Sequence, residues 1–588
     1  MRARGSELIS DETSVTVVFE GRQITARRGE TIAAALAAQG IIGLRTTRTG
    51  AERSLFCGMG VCQDCRVVVD GKHAMRACMT KIIAPMRIER QPPRAAAQVR
   101  ADDQRTRRSL PAIAPDILVI GGGAAGLAAA TAAARAGLHV VLADDRPTAG
   151  GQFYKQLAPG PDLPADRFAD RQMLRGRDRI LRAREAGVTI HSGMEVVAAF
   201  QPMSLLLGGD DGMRMARPSK LIVATGAYER ARPIPGWTLP GVMTAGAVQT
   251  LLRSYRVLAG RRILIAGNGP LNLQVALEAA RAGADIVAVA ELASTRGMAR
   301  LAALTRMATH SPALTAKGAA IRAELMLRRV PVLAGVRLSR IRAAGGSLVA
   351  EFSNPGSSQV SRHEADIIAM GYGFQPNNDV LRLLGCRFAR DERWDMLVPV
   401  RDADGMTSLE GLYAVGDCAS FSGAEIAEIE GTIAGMAAAR SLGREAAGAA
   451  EAGLRRKLER HRGFQAGLWR LFAAMEPAGA APPAAETVIC RCEDVTQAQL
   501  TQVVEDGAAV LGNVKRSTRI GMGPCQGRYC GVSGRSALAG TANHPQGEDA
   551  YWAARPPIKP VAIADLIAGL AEEGNQPSTS ASASISTS

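Results

Sequence analysis

Ten cysteines occur in this 588-residue chain, and eight of them fall into two tight clusters near its opposite ends. Four thiols gathered in a short stretch are tied to whatever they ligate, so each cluster dictates the path of its own loop. The first comprises Cys57, Cys62, Cys65 and Cys78, spaced C-x4-C-x2-C with the fourth cysteine after twelve further residues. That spacing suits a [2Fe-2S] cluster, with Gly58 and Gly60 letting the backbone wrap it and turn N–H groups toward the sulfurs. Zinc and disulfides are the competing readings. Zinc favours paired C-x2-C knuckles, and the first twenty residues mix Arg2, Arg4, Glu7, Asp11 and Glu12 with apolar positions, so no export to a disulfide-forming compartment is expected.

The second cluster is Cys490-Arg-Cys492, then Cys525-Gln-Gly-Arg-Tyr-Cys530 after 32 residues. Zinc competes on spacing alone. Lys515, Arg516, Arg519 and Arg528 nearby favour an anionic tetrathiolate cluster, so a second [2Fe-2S] site is the expectation. With Gly521-Met-Gly523 ahead of its second pair, this segment resembles the bacterioferritin-associated-ferredoxin (BFD) type of domain. The first cluster resembles the β-grasp, plant-type ferredoxin module that opens sarcosine oxidase alpha subunits and forms the small subunit of hydrogen cyanide synthase.

Length implies about three or four domains, and 47% hydrophobic residues suffice for their cores. The net charge of +16 is spread along the chain and aromatics are only 4%, which disfavours nucleic acid; scattered arginines read as solvated surface or as a dock for an acidic partner. Ile117 to Ala143 is charge-poor, but it carries Arg135 and His139 among Gly and Ala, so no transmembrane segment is expected. The location expected is cytoplasmic, or peripheral on the inner face of the membrane.

The divisions expected are residues 13–85 for the ferredoxin-like domain, 86–114 for a basic linker with Pro92-Pro93 and three arginines in Arg105 to Arg108, and 115–236 with 366–440 for the first nucleotide domain. A second nucleotide domain is inserted at 237–365, a helical segment and linker occupy 441–486, the BFD-like domain takes 487–545, and the Ser/Thr-rich residues 574–588 are expected to be disordered. The fold class is α/β: a Rossmann pair flanked by the two cysteine domains.

Strand Ile117 to Ile120, Gly121-Gly-Gly123-Ala-Ala125-Gly126, an Ala-rich helix and Asp144 after 23 residues make a dinucleotide fingerprint. Gly121 serves the turn, Gly123 the approach of the pyrophosphate and Gly126 helix–strand packing, while Asp144, followed by Asp145, accepts from ribose. Four further segments resemble the two-dinucleotide-domain flavoprotein disulfide reductases and imply FAD. Gly150-Gly151-Gln152 resembles the stretch beside the isoalloxazine, Ala224-Thr225-Gly226 the crossover between domains, Gly371 to Pro376 the return, and Gly411 to Gly416-Asp417 the ribityl contact. Only Cys386 and Cys418 lie outside the clusters, without C-x-x-C spacing, so thiol–disulfide chemistry is disfavoured and Cys418 reads as a small buried residue.

Arg262 to Ala290 repeats the β-α-β plan with Gly267 and Gly269, but Asn272 replaces the third glycine; Glu291 stands at the acidic position. Two readings remain open there: NAD(H) binding, or another adenine nucleotide held as a structural guest. Arg296 is a candidate phosphate ligand.

Taken in order, the modules resemble a fusion of the small and medium subunits of hydrogen cyanide synthase, and are similar to alpha subunits of opine oxidases, hydroxyproline dehydrogenases and sarcosine oxidase. The resemblance implies an electron-transferring alpha subunit of a hetero-oligomeric amino-acid, imino-acid or opine dehydrogenase. Its partner would be a D-amino-acid-oxidase-like FAD subunit (beta), its acceptor a quinone or other carrier, and FMN at a subunit interface belongs to the same comparison. No long tetrahydrofolate-binding domain follows, so folate-coupled demethylation is not expected. The seven histidines show no metal or triad spacing, so no catalytic residue is assigned on this chain. The alternative is an NAD(P)H-dependent reductase feeding a ferredoxin or oxygenase; an iron–sulfur sensor with a silent flavin ranks third.

Overall fold

Along Ser14–Phe19 the side chains alternate, Val17 and Phe19 inward and Thr16 outward, as a strand with one face buried requires. It pairs antiparallel with Arg22–Arg27. The full sheet runs Arg22–Arg27, Ser14–Phe19, Arg87–Arg90, Arg66–Val69, Lys72–Arg76. Helix Ile32–Ala38, capped by the Thr31 hydroxyl, lies beside it. The computed structural model describes residues 1–4, 14–93, 110–158, 170–209, 211–294, 296–354, 359–445, 448–473, 483–508, 510–536 and 547–570. The 574–588 tail, Arg105 to Arg108 and part of each expected linker lie outside them.

Arg87–Arg90 corrects the expected boundary at 85. It is the middle strand of the sheet, parallel to Ser14–Phe19 and antiparallel to Arg66–Val69. Only Ile88 faces the core, so the segment Arg-Ile-Glu-Arg reads as a linker by composition while backbone hydrogen bonding on both edges makes it a strand.

The first nucleotide domain is a parallel sheet in the order Thr189–Ser192, Val140–Asp144, Ile117–Ile120, Lys220–Val223, Leu412–Ala414. Its central strands are apolar throughout because both faces are covered. Ile117 and Val119 pack with the alanines of helices Ala124–Arg135 and Ala424–Ser441, whereas Leu118 and Ile120 pack with Leu205 and Leu207 of a three-stranded meander.

The inserted domain has its own parallel sheet, in the order Val242–Thr244, Ile367–Gly371, Arg262–Gly267, Asp285–Glu291, Val332–Ala334. Ile367–Gly371 therefore belongs to the insertion, and the boundary expected at 366 moves past Gly371. The chain returns through Phe374–Pro376, antiparallel to Ala227–Glu229.

Helix Gly448–Leu471 crosses from the first domain to the second, with Gly467 against Ala303 and Met307 of helix Gly297–His310. The C-terminal cysteine domain follows, and its boundary at 545 is also corrected. Trp552 packs against Gly521, Gly527 and Gly534 and shares a core with Ile489, Leu500 and Val514. Among the described residues no helix is long and apolar enough to cross a membrane.

Two helices meet backbone to backbone at Gly431 and Gly435: a Cβ there would lie 2.1 Å from the Ala125 carbonyl oxygen and 2.3 Å from that of Ala129. Gly431→Leu is expected to lower stability by about 1–3 kcal/mol, because the obstacle is main chain that cannot rotate away; denaturant unfolding followed through the flavin-domain transition measures it, and an unchanged midpoint would contradict this packing.

Candidate functional site

The fingerprint turn begins where strand Ile117–Ile120 ends. Gly121 has φ +103°, and a Cβ on it would lie 2.4 Å from the Ala224 carbonyl oxygen. A Cβ on Gly126 would lie 1.8 Å from the Gly121 carbonyl oxygen, so helix Ala124–Arg135 seats directly on the turn. Its N-cap, Gly123, offers no side-chain hydrogen bond, which leaves first-turn N–H groups for an anion.

Other expected segments close around this point. Gly150 donates its N–H to the Gly122 carbonyl at 2.7 Å, and Gly151 lies over Gly123 with Gln152 next in the same turn. Thr225 donates to the Asn377 carbonyl, and Asn377 donates back to Gly226 at 2.9 Å. Gly416 sits against Ala125, and Asp417 accepts from Ser422 N–H at 3.3 Å. Sites separated by nearly 300 residues thus line one cradle, with the open donors and small residues that a dinucleotide needs.

Asp144 braces the cradle from below. Its carboxylate accepts from the N–H groups of Gly122 and, at 2.7 Å, Arg146. Burial first, then the charge of Asp145, pushes its carboxyl up to about 6. Asp145 itself pairs with Lys559 at 3.1 Å. Cys418 donates to the carbonyls of Val223 and Val415, and burial raises its thiol to about 11; Cys386 is also buried.

At the second nucleotide site Gly269 N–H donates to Glu291 at 2.9 Å, and Asn272 donates to Glu291 and to the Gly371 carbonyl. The residue standing in for the third glycine thus occupies the acid that would receive ribose. Asn268, between Gly267 and Gly269, donates to the Phe472 carbonyl at 2.8 Å, so the end of the long helix stands against the glycine turn. Arg296 is exposed at the N-cap of helix Gly297–His310.

Cys57, Cys62, Cys65 and Cys78 are all buried. The N–H groups of Met59 and Cys62 point at the Cys57 sulfur at 3.5 and 3.4 Å, and Asp64 N–H at that of Cys62 at 3.5 Å. Burial opposes ionisation of Cys57, but hydrogen bonds from Cys62 and the backbone bring its thiol down to about 6. The thiols meet in pairs, Cys57 with Cys62 and Cys65 with Cys78, an arrangement that would give each iron of a binuclear centre two ligands. In the C-terminal domain Cys490 meets Cys530 and Cys492 meets Cys525. Among the described residues no three His, Cys, Asp or Glu side chains converge as a single ion requires.

The expected cationic surround of the second cluster is only partly present. Arg519 pairs with Glu493 and Arg516 with Asn513 at the surface, while Arg528 is buried on Asp379 and donates to the Cys525 carbonyl at 3.2 Å. Lys515 lies over the Trp552 ring, 5.8 Å from its centre. The buried cation closest in sequence to the ligands is Arg491, inside Cys490-Arg-Cys492. The sequence analysis did not single it out; the available signal was a charged residue between two closely spaced cysteines.

This cradle, second nucleotide fold and pair of thiol clusters define an oxidoreductase of the two-dinucleotide-domain class. Residues 115–450 match the pyridine nucleotide-disulphide oxidoreductase family, 12–93 a 2Fe-2S iron-sulfur cluster binding domain, and 485–570 the sarcosine oxidase A3 domain. An opine oxidase subunit of Rhizobium meliloti strain 1021 is 32% identical over 77% of this chain and 99% of its own length. Hydrogen cyanide synthase subunit HcnB of Pseudomonas aeruginosa is 31% identical over 76% and 96%. The solved L-proline dehydrogenase from P. horikoshii superposes with a TM-score of 0.69 over 94% of this chain and 97% of that one, at 20% identity, and so shares the fold. The chain belongs to the pyridine nucleotide-disulphide oxidoreductases and, within them, to the family of these opine oxidase and hydrogen cyanide synthase subunits.

Burial raises the Glu291 carboxyl to about 7, above its unfolded value near 4.3. An acid whose folded value is raised destabilises once ionised, so its stabilising share is complete below about pH 4 and is lost as pH rises through about 7. Glu291→Gln keeps an acceptor for Gly269 N–H. It should flatten the decline in stability between pH 5 and 8, with its amide nitrogen turned to Asn272; parallel pH profiles for the two proteins would contradict the assignment.

Proposed function

We propose that this chain is the electron-transferring alpha subunit of a heteromeric amino-acid, imino-acid or opine dehydrogenase. It receives electrons from a D-amino-acid-oxidase-like FAD subunit, then passes them to a quinone or similar carrier. The observation that carries the proposal is the seating of both cysteine loops on the crossover between nucleotide domains. Tyr228, two residues beyond Gly226, has its ring 5.6 Å from that of Tyr529 in the Cys525–Cys530 loop, and Tyr529 lies 5.4 Å from Phe56, beside Cys57. Gly58 packs on Ala247 of the inserted domain.

When bound, FAD converts a two-electron input into single electrons that [2Fe-2S] centres carry. The chain's own residues bind and orient: the Gly121–Gly126 turn takes the pyrophosphate, Thr225, Gly226, Gly151 and Gln152 border the ring, Asp417 takes the ribityl chain, and eight cysteines hold the two centres. Phe56, Trp237, Tyr228 and Tyr529 keep water from the space between, since all four are buried. The opine oxidase and hydrogen cyanide synthase relatives are both named as subunits, which supports a complex of several chains, and FMN at a subunit interface fits the same reading.

For direct reduction by NAD(P)H, the second nucleotide site is the relevant one. Asn272 on Glu291 and Phe472 against Asn268 both weigh against it. Anaerobic titration of the purified chain should therefore show slow flavin bleaching by NADH and none by amino acids alone. The native complex, with its partner copurifying, should bleach within seconds on its amino-acid substrate. Rapid bleaching of the isolated chain by either reagent would overturn the division of labour. Cys62→Ser should lower iron per chain by half while flavin content stays unchanged; full iron retention would remove the first cysteine cluster from the scheme.

A further inference from the structure

The two cysteine clusters are separated by more than 400 residues of sequence, yet their loops are bolted together by charge. Asp64 stands between Cys62 and Cys65, and Arg491 between Cys490 and Cys492. Arg491 donates through Nε to Asp64 Oδ2 at 2.6 Å, and both side chains are buried, at 3% and 1% exposure. Arg45 closes the other side of Asp64 through Oδ1 at 2.7 Å and through its carbonyl at 3.0 Å. A second pair joins the same two domains: Arg53, on strand Glu52–Ser54, donates to Asp494 at 2.6 Å and Thr49 to the same carboxylate at 2.8 Å. The Cys492 sulfur reaches the Cys62 carbonyl at 4.0 Å, which is contact between a ligand of one cluster and a ligand of the other.

Arg491 is held on every side but one. Its Nη1 donates to the Trp237 carbonyl at 2.7 Å, and its guanidinium lies 4.0 Å from the centre of the Phe56 ring and 4.7 Å from that of Trp237. Its buried Nη2 has no hydrogen-bond partner in the protein. Burying such ion pairs costs more desolvation than their attraction returns, so they are better explained by the geometry they impose than by stability.

We propose that the two cysteine sites form one two-centre relay clamped by Asp64–Arg491 and Arg53–Asp494, with Arg491 as the positioning residue that holds the Cys490–Cys492 segment against the Cys62–Cys65 turn. This rests on the reading above that both sites hold [2Fe-2S]. Cys57, Cys62, Cys65 and Cys78 would hold one [2Fe-2S] centre and Cys490, Cys492, Cys525 and Cys530 the other, and an electron passed between them would oxidise one centre by one unit and reduce the other by one. No bond forms or breaks and no proton moves; the electrons come from the flavin, or from dithionite in the test.

The test is low-temperature electron paramagnetic resonance of the full-length chain, prepared anaerobically, assayed for iron and sulfide, and fully reduced with dithionite. Two centres in contact should show mutual splitting and accelerated spin relaxation that disappear when Cys62→Ser removes one of them. Full iron with two independent, unsplit signals would overturn the relay while leaving the functional reading intact; iron for one centre or none would overturn both. Arg491→Gln should weaken the splitting as well, with Arg491→Lys recovering part. Unchanged splitting at full iron content would remove Arg491 from the role. Because Arg491→Gln leaves buried Asp64 with Arg45 as its remaining ion-pair partner, Asp494→Asn at the second clamp gives an independent check: it should weaken the splitting without loss of iron, and an unchanged splitting would show that this pair does not set the spacing.

Discussion

Helix Ala124–Arg135 carries almost nothing larger than a methyl group on the faces it turns toward its neighbours, and the rest of the nucleotide cradle depends on that. Its first turn rests on the Gly121 carbonyl through Gly126, its side takes Gly416 at Ala125, and its length takes the backbone of Ala424–Ser441 at Gly431 and Gly435. Three separate pieces of chain thereby reach the same few ångströms around one helix N-terminus. Larger side chains would hold them apart and leave the open N–H groups facing nothing in particular.

The cysteine domains follow a different logic. Each has its own core, with Trp552 laid on a floor of glycines in the C-terminal one, and each also packs on the nucleotide domains, where Phe56 and Tyr529 join Trp237 and Tyr228 in one apolar cluster. Aromatic contact brings the loops to the crossover, and buried charge then selects one relative position for them. Apolar packing alone tolerates sliding, whereas an unpaired carboxylate or guanidinium in such a place is far more costly than a paired one. Both cysteine loops thus meet at the crossover between the two Rossmann-like sheets.

Much of the site was legible because its chemistry demands local spacing. Gly121 to Gly126, the Asp144 position and both cysteine sets follow from short-range requirements; in the structure Gly123 caps helix Ala124–Arg135 and seven of the eight cysteines are buried. The misread boundaries share one cause. Arg87–Arg90 shows a single apolar side chain, Ile367–Gly371 is equally apolar in either sheet, and Trp552 lies beyond an unpromising stretch, so each was assigned by composition when its partners were non-local. The cations were misjudged in the same way: Arg516 and Arg519 are near the thiols in sequence but turn to Asn513 and Glu493.

From the amino-acid order alone came the list of modules and the ligand types each can hold, because thiol spacing and glycine turns act over a few residues and need no distant partner. Which strand enters which sheet, the capping of the second glycine turn by Phe472, and the meeting of Asp64 with Arg491 were decided only in the tertiary structure. Those contacts join residues hundreds of positions apart, and their strength comes from burial, a property that no residue has until the whole chain has packed around it.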